Sequence, residues 1–213
     1  PLAELLSLAL PTIVQMTSYT VMQFTDTFML SRVSDTAATA AAQAGMVEFS
    51  LLSFGVGTLL LVNTLVSQSY GRGDFRACGR YLWQGVWVAL FFGLLTLPLL
   101  PLAGPTFRAI GHPAAMAHME ASFFSILLGL ATLKLVSVSV GQFLLAVNRP
   151  NVVLVAAASA AVVNAVLNWV FIYGHLGLPA MGVSGSAWST NGALLVELLI
   201  LVAVASRPAM AGR

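Results

Sequence analysis

The residues best placed to do chemistry lie on otherwise apolar segments. On a helix of 3.6 residues per turn, Thr12, Gln15, Tyr19, Gln23 and Asp26 fall within about 80° of one another, and the other faces are almost wholly apolar. A polar stripe therefore runs along a greasy helix and ends in a carboxylate. A carboxylate withdrawn from water holds its proton more readily than one in solution, so such a group can take up and release a proton in a physiological range. If its two forms favour different helix arrangements, the proton biases the fold between two states.

Two later stretches carry polar groups in the same manner. Ala157, Ala160, Ala161, Asn164 and Asn168 share one helical face, small at first and then amide-bearing. Two carboxamides one turn apart are costly in lipid and should point into the protein, where plain interhelical hydrogen bonding is the simpler role for them. Ser186, Thr190 and Glu197 fall within about 40° of one another and make a third polar line. A milder stripe, Gln43, Ser50, Gly57, Thr64 and Gln68, faces either water or a neighbouring helix.

The elements that must position these groups follow from composition. Of 213 residues, 59% are hydrophobic and 8% charged, and the mean hydropathy is +0.93, far from a soluble domain. The predicted fold class is all-α, a polytopic membrane protein built as a bundle of six transmembrane helices. Apolar runs long enough to cross a bilayer of about 30 Å cover 2–31, 40–69, 80–104, 120–147, 151–174 and 181–206. Breakers separate them: Arg32 to Asp35, Gly71-Arg72-Gly73-Asp74, Pro105 to Pro113, Asn148-Arg149-Pro150 and Gly174 to Pro179.

Arg72, Arg76, Arg80, Arg149, Arg207 and Arg213 fall on one side of these spans, and Arg32 and Arg108 on the other. That bias predicts a plasma-membrane (bacterial inner-membrane) protein with both chain ends cytoplasmic. The scattered basic residues and formal charge of +2 make no nucleic-acid surface. The lone Cys78 excludes an intramolecular disulfide. Pro1 is neither an initiator Met nor part of a basic leader, so further residues are expected before it. Pro11, fifteen residues before Asp26, is expected to bend the first helix.

Together these segments resemble the multidrug and toxic compound extrusion (MATE) transporters. The likeness rests on Leu10-Pro11 and Asp26-Thr27 in the first helix, and on Gln68-Ser69-Tyr70-Gly71-Arg72-Gly73-Asp74 after the second. It continues through Asn148-Arg149-Pro150, Asn164-Ala165-Val166-Leu167-Asn168-Trp169, Ile172-Tyr173-Gly174, Gly182-Val183-Ser184-Gly185 and Ser189-Thr190. That resemblance implies residues 1–213 are the N-terminal six-helix lobe of a twelve-helix transporter, the second lobe being either covalently joined or a second copy. It implies a secondary antiporter, not an enzyme, that exports small amphipathic organic cations across membrane lipid without a cofactor.

The resemblance further implies that Asp26, Asn164, Asn168 and Thr190 form the coupling site for H+ or Na+. One carboxylate, two amides and a hydroxyl also make the all-oxygen shell a hard cation prefers. Some relatives place a second acid where this chain has Asn168, so the choice between proton and sodium stays open. Lys134 in mid-span matches no family signature, and Glu48 or Glu197 can pair with it. His112, His118 and His175 are expected in solvated loops.

Two other functions are weighed. A lipid-linked oligosaccharide flippase of the same wider superfamily needs several cationic side chains for a pyrophosphate, and only Lys134 is at hand. Gly182-Val183-Ser184-Gly185 has the form of an intramembrane serine protease motif, but no histidine follows Ser184 to act as base.

Overall fold

The computed structural model describes residues 20–206, and helices account for nearly all of them. A first helix, α1, covers 20–31 and turns at once into α2, Asp35–Gly71. Ser34 starts α2 because its hydroxyl accepts the Ala37 N–H at 3.0 Å, relieving one of the orphan donors of the first turn. Asp74 does the same for α3, Phe75–Thr96, accepting from Ala77 N at 2.9 Å.

α3 does not stop where its apolar run meets proline. It tightens into a 3₁₀ segment, Leu97–Leu102, and resumes as α4, Ala103–Ala109. Pro105 sits in the first turn of α4, where its missing N–H has no intrahelical partner to lose, so this proline does not end the helix. The expected break from Pro105 to Pro113 is therefore shorter, confined to 110–113.

The fourth apolar run is two helices, α5 (Ala114–Gly129) and α6 (Ala131–Ala146), meeting at a bend of 49°. α7, Pro150–Tyr173, opens with proline at its first position and closes on Gly174, whose φ of +76° suits a left-handed cap. α8, Gly182–Ala205, completes the described chain. By length and apolarity α2, α3 with α4, α7 and α8 each reach across a membrane, and the bent pair passes the same test when its two helices are taken together. α1 supplies the end of the first predicted one, whose earlier residues, Pro11 included, lie outside the described region.

Long side chains face outward. On α3, Trp83, Trp87, Phe91, Leu94 and Leu95 are all more than half exposed, as suits contact with hydrocarbon, where burying apolar surface gains nothing. The interior uses small residues instead. Ala37, Ala40, Ala44, Ala89, Ala156, Ala187 and Ala193 are buried and let the rods approach. One close approach joins α7 to α8. A Cβ built on Gly185 would stand 2.7 Å from the Phe171 carbonyl, so Gly185→Ala must push the two helices apart. The expected loss is about 1–3 kcal/mol of stability, read as a lower unfolding midpoint in detergent; an unchanged midpoint would show the helices are not in register as described.

Candidate functional site

Three helices bring the oxygen-bearing residues together. Asn164 and Asn168 lie one turn apart on the inward face of α7, both fully buried. Asn168 Nδ2 donates to Asp26 Oδ1 on α1 and also faces Asn164 Oδ1 at 3.1 Å. From α8, Thr190 Oγ1 lies 3.3 Å from Asp26 Oδ2 and 3.1 Å from Ser186 O, either of which can accept its single proton. All four residues singled out from the sequence thus converge on one carboxylate.

Local structure explains the convergence. Tyr173, at the end of α7, donates its hydroxyl to Met29 O at 2.9 Å and clamps α1 against α7 one turn beyond Asp26. Gly185 lets α8 close on α7, which brings Thr190 alongside Asn168. Both carboxylate oxygens face donors, the arrangement suited to an ionised acceptor. Among the described residues no cationic side chain joins them. Asn168 Oδ1 and Asn164 Nδ2 are buried and make no hydrogen bond with the described residues. The amide pair therefore has unused capacity next to the acid. Asp26 lies fewer than two turns from the end of α1 at residue 31, close to the side that carries Arg32.

The rest of the first-helix stripe is only partly visible. Gln23 is exposed, and Thr12, Gln15 and Tyr19 lie outside the described residues. On α2, Ser50, Gly57, Thr64 and Gln68 are exposed, while Gln43 is half-buried with its Oε1 enclosed. That face points away from the other described helices, and close helix packing does not account for it within this bundle. On the polar line of α8, Ser186 and Glu197 are buried with Thr190 between them.

Lys134 is resolved in favour of one partner. Its Nζ donates to Glu48 Oε1 and Oε2 at 2.9 and 2.8 Å, tying α6 to α2. His112 and His175 stand in loops as expected, but each has a partner there. His112 Nδ1 meets Glu120 Oε2 at 2.8 Å, and Glu120 is fully buried. His118 is exposed but stands on α5. His175 stacks on Trp169 with ring centroids 3.9 Å apart and bonds to the Trp169 carbonyl at 2.8 Å. Ser184 shares a hydrogen bond with Ser122 at 2.8 Å, a partner that cannot serve as a general base. The serine-protease motif is thus a helix–helix contact.

The MatE family model matches residues 11–170, three quarters of the chain and most of the helices just described. This chain belongs to the MatE family. It is similar to the probable multidrug resistance protein NorM of Bradyrhizobium diazoefficiens, 34% identical over 95% of this chain and 44% of that protein. Multidrug resistance protein PmpM of Pseudomonas aeruginosa is 29% identical over 89% of this chain and 40% of its own length. Among solved structures, the fold is similar to the outward-facing conformation of a multidrug resistance MATE family transporter of the MOP superfamily. There the TM-score is 0.83 at 20% identity, over 92% of this chain and 43% of that one. The chain spans less than half the length of the curated relatives it matches. It is a multi-pass membrane protein of the MatE fold.

Proposed function

We propose that this chain is the N-terminal six-helix lobe of a cation-coupled antiporter that exports small amphipathic organic cations. The observation that carries the reading is Asp26, held by an amide of α7 and a hydroxyl of α8. Naming of the relatives as multidrug resistance proteins supports the substrate class. The second lobe is a covalent continuation or a second copy. The arginine bias supports a plasma-membrane setting with both ends cytoplasmic.

The mechanism turns on the charge of Asp26. When ionised, it accepts from Asn168 and Thr190 on two oxygens, and hydrogen bonds to a charged acceptor are roughly twice as strong as neutral ones. α1 is then tied to α7 and α8. A proton arriving at the carboxylate weakens both bonds and frees α1 to adopt a second position. Moving such an equilibrium from 1:99 to 99:1 takes about 5.5 kcal/mol of differential stabilisation.

Sodium is the rival ion. It would need amide oxygens turned toward Asp26, and Asn168 now offers its N–H instead; a rotation of that amide by half a turn would present Oδ1. For a flippase of pyrophosphate-linked lipid, Lys134 would have to be available, but both oxygens of Glu48 already hold it.

Everted membrane vesicles from cells expressing the native gene test the coupling. An imposed proton gradient should drive uptake of a fluorescent organic cation with no sodium present. Uptake that follows only a sodium gradient would replace the proton; uptake indifferent to both would overturn the antiport reading.

A further inference from the structure

The break between α5 and α6 has a hydrogen-bonding consequence. In an unbroken helix the Leu130 N–H would donate to Ile126 O. Here it donates to Leu127 O at 3.2 Å, which takes from Ile126 O its intrahelical donor. Inside a membrane protein an unpaired carbonyl costs several kcal/mol. α8 supplies the substitute: Asn191 Nδ2 donates to Ile126 O at 2.9 Å, and Asn191 is 3% exposed. No proline forces this bend, so the amide of α8 holds what the local sequence does not.

Asn191 directly follows Thr190, whose hydroxyl faces Asp26. The two side chains leave one turn of a stiff helix about 100° apart, one toward α1 and the other toward the break. Beyond the break the first turn of α6 is gripped on two more sides. Lys134 reaches Glu48 on α2, and Thr132 lies so close to Gly93 of α3 that a Cβ there would stand 2.6 Å from the Thr132 Cα.

We propose that Asn191 is a positioning residue that links the Asp26 site to the bend in the fourth span, so that release of α8 from Asp26 at Thr190 also sets the angle between α5 and α6. This rests on the coupling role assigned to Asp26. The arrangement present, with Asn191 on Ile126 O, and an unbroken helix, with the Leu130 N–H there instead, would be the two discrete states a two-state element requires. With α8 engaged, Asn191 holds Ile126 O and the bend is kept. With α8 turned away, Ile126 O recovers the Leu130 N–H, the span straightens, and Lys134 is carried across Glu48.

A native reporter is in place. Trp188, one turn before Asn191, borders the open pocket beside Ser125, Ile126, Gly129 and Leu130. In protein expressed from the native gene with Trp83, Trp87, Trp169 and every tryptophan encoded outside residues 1–213 replaced by Phe, Trp188 emission is followed on acidification, together with the proton-dependent change in unfolding midpoint. With Asn191 present, both signals should respond to acid. Asn191→Leu should keep the midpoint response but lose the emission response, and should slow gradient-driven efflux at least tenfold. Asn191→Ala serves the same purpose if the leucine variant does not reach the membrane, and Asn191→Gln, which retains the donor, should restore part of both losses. An emission response and efflux that survive in Asn191→Leu or Asn191→Ala overturn the link alone. Midpoint and emission responses in Asp26→Asn equal to those of the wild type overturn the coupling site itself, and the link with it.

Discussion

Asp26→Asn is expected to reduce gradient-driven efflux to the level of cells without the gene, a fall of at least about a hundredfold, while the protein reaches the membrane in normal amounts. The substitution preserves shape, and the surroundings can accept it. The new amide oxygen takes the Asn168 N–H, and the new N–H₂ faces Thr190 Oγ1, which can turn its proton to Ser186 O at 3.1 Å. Stability should therefore change by no more than about 1 kcal/mol. What is lost is the group that carries the proton. Asp26→Glu keeps that group but lengthens it by a methylene, so it should retain partial transport. Efflux measured against immunodetected protein in the membrane separates these effects, and wild-type efflux from Asp26→Asn would remove Asp26 from the mechanism.

The second large effect concerns stability. Lys134→Met should destabilise the lobe by about 3–5 kcal/mol, because it leaves the Glu48 carboxylate buried and without its cation. Glu48 is 3% exposed and receives both of its hydrogen bonds from Lys134. Glu48→Gln should cost less. The Lys134 side chain is 31% exposed, so its ammonium can turn toward water along a flexible stem. The double variant Lys134→Met with Glu48→Leu should recover most of the loss, since two apolar groups of similar size leave no charge to compensate. Unfolding midpoints of the wild type, Lys134→Met, Glu48→Leu and the double variant in one detergent make the cycle. Additive single-variant losses would mean that the pair contributes nothing.

How much of this was legible in the sequence depends on which residues decided each feature. Asp26, Asn164, Asn168 and Thr190 stood out because polar groups on apolar helices are expensive unless they meet one another, and the structure brings them together. Their use as an ion site came from family resemblance, not from spacing. The bend in the fourth span left no such sign. Gly129 is tolerated inside helices, and the contact that fixes the bend comes from Asn191, 65 residues further along the chain. The partner of His112 is hidden for a similar reason, because nothing local reveals that Glu120 is buried and meets it. Prolines misled in the opposite sense. Pro105 reads as a helix breaker but sits where a first turn accepts it. The early start of α2 at Asp35 was signalled by Ser34, but the alanine-rich turns that follow are too weakly apolar to extend a hydropathy span.

Infrared difference spectroscopy of the reconstituted protein addresses the ion site itself. On acidification a carboxylic acid C=O band should appear that is absent from Asp26→Asn and displaced in frequency by Asn168→Leu, because the amide of Asn168 bonds the same carboxyl group. A band that Asp26→Asn leaves unaltered, or one that Asn168→Leu does not move, would contradict the claim that Asp26 takes up the proton among the amides of α7 and the hydroxyl of α8.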